Sequence, residues 1–190
     1  MKKVYTSALV IIPPKELWSP IQEIRMKYDR HIESWMPHIT LLYPFIFEAE
    51  LDLVIEDILN VCEKISPFKV TLKEFEVFHH GKQNYTFWLK PQPMELIIQL
   101  QYLLLRVVPE CNDVNLYKDG FVPHLSLGQL NNKNKIKSFL ENMSKKWNQL
   151  SFYVNQIHFI SRKPFKNSKF EIKKSLNFGK LISSTEGLNP

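Results

Sequence analysis

Met36-Pro37-His38-Ile39-Thr40-Leu41 and Val122-Pro123-His124-Leu125-Ser126-Leu127 are two versions of one pattern: apolar residue, Pro, His, apolar residue, hydroxyl residue, Leu. Almost half the chain separates them. Side chains alternate along an extended strand, so each His shares a face with the hydroxyl two places on, about 6.6 Å away. Two such strands facing one another would gather two imidazoles and two hydroxyls around one small volume, a setting for acid–base work on a phosphate. With 6 His and 18 Ser or Thr in the chain, a single His-x-Ser/Thr is close to a chance event. Demanding Pro before each His, twice over, leaves an expectation of roughly one in a thousand. Two buried strands with satisfied core histidines are the plainer explanation. Packing alone, however, favours apolar residues where Thr40 and Ser126 stand.

The composition bounds the class. A chain of 190 residues with 44% hydrophobic and 13% aromatic content makes one domain, or two small lobes sharing a core, and excludes disorder. The net charge of +6 comes from 21 Lys and only 4 Arg. It permits an anionic partner such as nucleic acid, and a Lys-biased genome produces it equally well. Cys62 and Cys111 form no Cys-x-x-Cys and read as reduced thiols, one on a buried helix and one in a loop. The opening run Val4–Ile12 lacks a signal-peptide cleavage site and ends in Pro13-Pro14, so a first strand is expected. No apolar stretch approaches membrane-spanning length, and a soluble, cytoplasmic protein is the expectation.

Leu17, Ile21, Ile24 and Tyr28 recur at helical spacing, giving a helix to about Arg30. Pro37–Phe45 is the first motif strand. Leu51, Val54, Ile55, Ile58, Cys62 and Ile65 line a second helix, stopped by Ser66-Pro67. Phe68–Phe78 and Tyr85–Lys90 read as a hairpin around His79–Asn84. In the second half Ile97, Leu100, Leu104 and Val107 mark a helix, and Phe121–Leu130 is the second motif strand. Ile136, Phe139, Leu140, Met143 and Trp147 define a fourth helix. Phe152–Ser161 and Phe170–Phe178 make a closing strand pair, with residues 183–190 a loose tail after a single bilobal domain at 1–182. This order is an internal duplication with the motif at the same place in each half. The second half lacks its own opening strand, unless one of the hairpin strands serves it. The expected fold class is α+β: two pseudo-symmetric lobes of mainly antiparallel sheet, with outer helices, around a central cleft.

In-line displacement at phosphorus needs a base for the nucleophile on one side and an acid for the leaving oxygen on the other. Imidazole titrates near pH ~6.5, so one neutral and one protonated copy coexist near neutrality. The Thr40 and Ser126 hydroxyls can donate hydrogen bonds to the non-bridging oxygens. This scheme calls for no metal and no cofactor. The sequence carries no His-Glu-x-x-His, Cys cluster or acidic triad.

The paired motifs, above all Pro37-His38-Ile39-Thr40-Leu41-Leu42-Tyr43-Pro44-Phe45, resemble the two-histidine (2H) phosphoesterase superfamily, which includes the 2′-5′ RNA ligase / RNA 2′,3′-cyclic phosphodiesterase proteins. The order of elements extends the resemblance over roughly residues 3–180. It implies a bilobal α+β fold and a metal-independent hydrolase, a phosphodiesterase opening a 2′,3′-cyclic phosphate at an RNA end or on a nucleotide. Reversible 2′-5′ RNA ligation is the same chemistry with a ribose hydroxyl replacing water. By resemblance His38 is the proton donor to the leaving ribose oxygen and His124 the base that activates water, with the reverse assignment open. Thr40 and Ser126 would hold the phosphate. Ser126 stands where Thr is commoner and keeps the hydroxyl. Gly128-Gln129 stands where some RNA-processing members carry a basic residue. The same site would serve 2′-5′ oligoadenylate or ADP-ribose 1″,2″-cyclic phosphate. A non-catalytic nucleotide- or RNA-binding module is the alternative from another class, and the four intact motif residues argue against it. The expected partner is RNA or a nucleotide with a cyclic phosphate or 2′-5′ linkage, bound by a monomer.

Outside the motifs, Tyr43 lies just past Thr40 and is a candidate for stacking on a base. Tyr5 and Trp88, on other expected strands, are candidates for lining the cleft. Arg162, at a strand end, has the fork to meet a phosphate. His79 and His80 lie in a turn and point apart, which argues against a metal pair. Lys133–Lys137 and Lys145-Lys146 flank the fourth helix, as a solvated face or as an outer track for an RNA backbone.

Overall fold

Apolar residues at alternate positions and at helical spacing take up the elements their periods require. The computed structural model describes residues 1–116, 119–165 and 167–179. Its first half runs β1 (Lys3–Val4), β2 (Ser7–Ile11), α1 (Trp18–Tyr28), β3 (Ile39–Leu42), β4 (Phe45–Ile46) and α2 (Ile55–Glu63). A long hairpin follows, β5 (Phe68–His79) and β6 (Tyr85–Gln92). The rest is α3 (Met94–Val107), β7 (Leu125–Leu130), α4 (Lys133–Lys146), β8 (Leu150–Val154), β9 (Gln156–Ser161) and β10 (Glu171–Asn177). The α+β class is as expected.

Among the described residues eight strands form one antiparallel sheet, ordered β10-β9-β2-β3-β7-β6-β5-β8, and β1 with β4 makes a separate two-stranded ribbon. The motif strands β3 and β7 are central neighbours, paired at Ile39 and Leu125. They therefore lie side by side within one sheet and do not face one another across a gap. The duplication is visible as four strands on either side of that seam. β2-α1-β3 in one half corresponds to β6-α3-β7 in the other, so hairpin strand β6 is the second half's opening strand. The helices cross the seam: α1 packs on β7, and α3 packs on β3.

Three of the strands expected from sequence are divided. The first motif strand, Pro37–Phe45, breaks at the cis Tyr43-Pro44 bond, so β3 ends at Leu42 and Phe45 belongs to the β1–β4 ribbon. The Val4–Ile12 run breaks at a turn at Tyr5 and Thr6, which places Tyr5 outside any strand. The Phe152–Ser161 run breaks at Asn155, where β8 continues to pair with β5 while β9 joins β2 and β10. Buried positions change phase there, from Phe152 and Val154 to Ile157 and Phe159, as they must when a chain moves between sheet partners. Since β8 is the sheet's edge and β9 lies near the opposite edge, a single linking residue forces the sheet to curl until its ends meet. The Phe178 N–H donates to the Asn155 carbonyl (2.8 Å) and the Phe178 ring stacks on Phe68 at 6.2 Å, closing that junction. The tail expected at 183–190, with the boundary at 182, lies outside the described residues.

One face of the sheet packs on the helices. Ile39, Leu41, Leu125, Leu127, Phe87, Leu89 and Phe159 meet Ile21, Ile58, Leu100, Leu104 and Phe139 in the main core. A smaller cluster of Ala8, Val10, Ile160 and Phe170 lies on the other face, with Trp35 and Tyr43 against it. Cys62 and Cys111 are free and fully buried, and burial pushes their thiols up to about 12 and about 11. No helix among the described residues is long and apolar enough to cross a membrane.

Candidate active site

Ile39 and Leu125 point into the main core, so their neighbours on both strands point to the opposite face. Continuing the antiparallel register from that pair sets His38 beside Ser126 and Thr40 beside His124. Directly opposed side chains of this kind have Cβ atoms about 4.5–5.5 Å apart. All four motif residues are half-buried on this face. The structure thus brings the four together, diagonally related by the pseudo-two-fold.

The two imidazoles are held alike. His38 Nδ1–H donates to the Met36 carbonyl at 2.7 Å, and His124 Nδ1–H donates to the Val122 carbonyl at 2.7 Å. Pro37 and Pro123, each buried between carbonyl and ring, fix the backbone that makes this contact. Nε2 of each ring has no hydrogen-bond partner among the described residues and can exchange a proton. Burial pulls the His38 pKa down to about 4, helped by the Arg25 guanidinium and by His124, and opposed by the Met36 carbonyl and Asp29. Burial lowers His124 as well, against the pull of the Val122 carbonyl.

Aromatic rings supply that burial. Trp35 stacks on His38 at 4.7 Å and 18°. Phe78 meets His124 edge-on at 5.0 Å, and Trp88 does so at 5.8 Å, while Phe78 and Trp88 stack on each other at 4.8 Å. Trp88 is the cross-strand partner of Ser126 and is only 5% exposed; its indole N–H has no partner among the described residues. Sequence reasoning missed Trp35, Phe78 and Phe170. For Phe78 the hairpin register placing it on the face of Trp88 was an available signal; for the loop residue Trp35 there was none.

A buried ion pair frames the seam. Arg25, 2% exposed, donates Nε–H and Nη2–H to Asp29 Oδ2 (2.9 and 2.7 Å), Nη1–H to Gln22 Oε1 (3.0 Å) and Nη2–H to the Trp35 carbonyl (2.9 Å). Asp29 Oδ1 accepts the His31 N–H at 2.9 Å, and Gln129 Nε2 lies 3.5 Å from it. Gln129, where a phosphate-contacting basic residue was the comparison, is thus engaged with α1's C-terminal loop. Gly128 makes room for this: a Cβ there would lie 2.5 Å from Tyr28 Cβ and 2.7 Å from its carbonyl.

The other candidates lie beyond Trp35. Tyr43 is edge-on to Trp35 at 5.3 Å and donates its hydroxyl to the Tyr5 carbonyl at 3.3 Å. Tyr5 is 65% exposed and edge-on to Tyr43 at 5.8 Å. Arg162 lies over Phe170, 5.1 Å from the ring centre. His79 stacks on Tyr85, and the His80 ring bonds the Thr86 hydroxyl at 2.9 Å. Among the described residues no group of three or more His, Cys, Asp or Glu is arranged to hold a metal ion.

A curled antiparallel sheet with paired His/hydroxyl strands at its centre defines a class, and comparison with known proteins agrees. The chain belongs to the 2′-5′ RNA ligase superfamily, whose family model matches residues 13–164. Similar curated proteins include a "putative phosphoesterase" of Halalkalibacterium halodurans, 25% identical over 173 residues that cover 90% of this chain and 96% of that one. A second, from Geobacillus kaustophilus, carries the same description and is 27% identical over 126 residues, covering 64% and 67%. Among solved structures, TT0787 of Thermus thermophilus matches with a TM-score of 0.63 at 14% identity, covering 91% of this chain and 97% of that one. Escherichia coli LigT complexed with phosphate matches with a TM-score of 0.56 at 17% identity, covering 94% and 99%. These likenesses extend to the fold.

Proposed function

We propose that the chain is a phosphoesterase that opens 2′,3′-cyclic phosphates, at an RNA end or on a nucleotide, by acid–base catalysis between His38 and His124. One observation carries this reading: two imidazoles with matched Nδ1 hydrogen bonds and free Nε2 atoms, next to two hydroxyls, on adjacent strands. The relatives described as phosphoesterases support the coarser reading, and the structural neighbour LigT has been crystallised with phosphate and with 3′-AMP. A phosphate on the pseudo-two-fold has one Nε2 on each side. One imidazole takes the proton of the attacking water as the new P–O bond forms. The other gives its proton to the ribose oxygen as the old P–O bond breaks, leaving a phosphomonoester. By family resemblance His38 is the acid and His124 the base. Thr40 and Ser126 donate to the non-bridging oxygens, where charge accumulates. A metal is not required in this scheme.

The test is turnover of a nucleoside 2′,3′-cyclic monophosphate and of an RNA ending in a cyclic phosphate, with chelator present. Hydrolysis of either supports the reading. No turnover on both, with turnover of 2′-5′ oligoadenylate or ADP-ribose 1″,2″-cyclic phosphate, moves the substrate and keeps the site. Binding without turnover on the whole panel replaces the enzyme with a binding module.

A further inference from the structure

We infer that Arg162, with Tyr43 and Tyr5, forms a subsite for a second, non-reacting phosphate and its base, which makes the preferred ligand an oligoribonucleotide and not a mononucleotide. This deepens the proposed function and rests on it. Alternation along β9 and beyond sets Arg162 on the face of Ile160, whose cluster includes Val10, the cross-strand partner of Thr40. Arg162 therefore shares the face of the motif residues.

Three groups form a ladder leading away from His38. Trp35 lies 4.7 Å from His38, Phe170 lies 3.8 Å from Trp35, and the Arg162 guanidinium lies 5.1 Å from Phe170. Two rings nearly parallel to one indole and this close to it cannot share a face, so His38 and Phe170 cover opposite sides. Arg162 and Thr40 meet the β2 segment at Thr6 and Val10, four residues or up to about 13 Å apart, and two stacked rings stand between Arg162 and His38.

The guanidinium is held in place, and no described residue neutralises its charge. The Arg162 backbone N–H donates to the Thr6 carbonyl at 2.8 Å. Its side chain makes no ion pair or hydrogen bond with any described residue, and of its nitrogens only Nε is buried without a partner. A planar fork fixed on a ring face is pre-organised for phosphate oxygens. Its field already reaches the Tyr43 phenol, favouring ionisation against the burial that raises that pKa. Beside it, Tyr5 offers an exposed ring, as base stacking on single strands requires.

The experiment compares a nucleoside 2′,3′-cyclic monophosphate with a trinucleotide ending in the same cyclic phosphate, for the wild type, Arg162→Met and Tyr5→Ala. The wild type should prefer the trinucleotide through KM, with the preference shrinking as salt rises. Arg162→Met should cut that preference about tenfold, the scale of a lost charge-assisted hydrogen bond. Tyr5→Ala, a change at an exposed residue that leaves folding alone, should cut it several-fold. Equal losses on both substrates, or no loss on either, overturn the subsite. Binding of a trinucleotide 3′-phosphate and of a nucleoside 3′-monophosphate, by calorimetry, provides a readout without turnover. Weaker trinucleotide binding by Arg162→Met alongside no hydrolysis keeps the subsite and removes the hydrolytic reading. Unchanged trinucleotide binding removes the subsite whatever the turnover.

Discussion

His38 and His124 are the residues on which the proposed chemistry turns, and their burial sets its pH dependence. Both pKa values are depressed, so both rings are neutral at pH 7 in the free protein. One must gain a proton before it can serve as acid. kcat/KM should therefore rise as pH falls below neutrality and drop again once the base is also protonated, which a rate–pH profile on a cyclic phosphate checks. His38→Ala or His124→Ala should each lower kcat by about 10²–10⁴. The double variant should be little worse than the worse single, because the two act in one step. The same shift governs stability. Unfolded, His38 takes its proton near pH ~6.5; folded, it does so at about 4. The unfolded chain holds more protons between those values, so stability present above pH ~6.5 is lost as pH falls toward 4. His124 and His158, also lowered by burial, act in the same direction. Melting temperature against pH should show this acid limb, and His38→Gln should flatten it.

Among the elements, α1 and β7 depend on one small residue. Gly128→Ala drives a methyl into Tyr28 Cβ and its backbone, and should cost about 1–3 kcal/mol as overpacking. At α4, the Asn132 side chain accepts from the N–H groups of Asn134 (2.8 Å) and Lys135 (3.3 Å). Asn132→Ala should cost about 1 kcal/mol as a lost N-cap. Denaturant titration reads both. Most elements were legible in the sequence, since α3, α4 and the β5–β6 hairpin follow from periodicity and turn residues. The splits at Tyr5-Thr6 and Asn155 were harder. At Asn155 the change of phase between Val154 and Ile157 was readable, yet its meaning depends on which strand lies alongside.

For the whole molecule, helices crossing the seam and one residue joining edge strand β8 to β9 near the opposite edge leave neither half a complete core. Unfolding should be a single transition, coincident by circular dichroism and tryptophan fluorescence. The Arg25–Asp29 pair ties α1, the Trp35 loop and β7 together. Asp29→Ala strands a buried guanidinium and should cost about 3–5 kcal/mol in the same denaturation experiment.

Sequence alone determined the candidate chemistry and its duplication: imidazole and hydroxyl two positions apart in a strand must share a face, whatever the strand packs against. It could not tell that β3 and β7 would be direct neighbours, nor that Trp35, Phe170 and Arg162 would stack outward from His38. The deciding contacts are long-range: Ile39 pairs with Leu125, 86 positions on, and Trp35 stacks on Phe170, 135 positions on. The outward stack exists because β9 pairs with β2, itself the neighbour of β3, which sets Arg162 and the segment before β10 on the face where the first motif lies, and local periodicity carries no information about such a meeting.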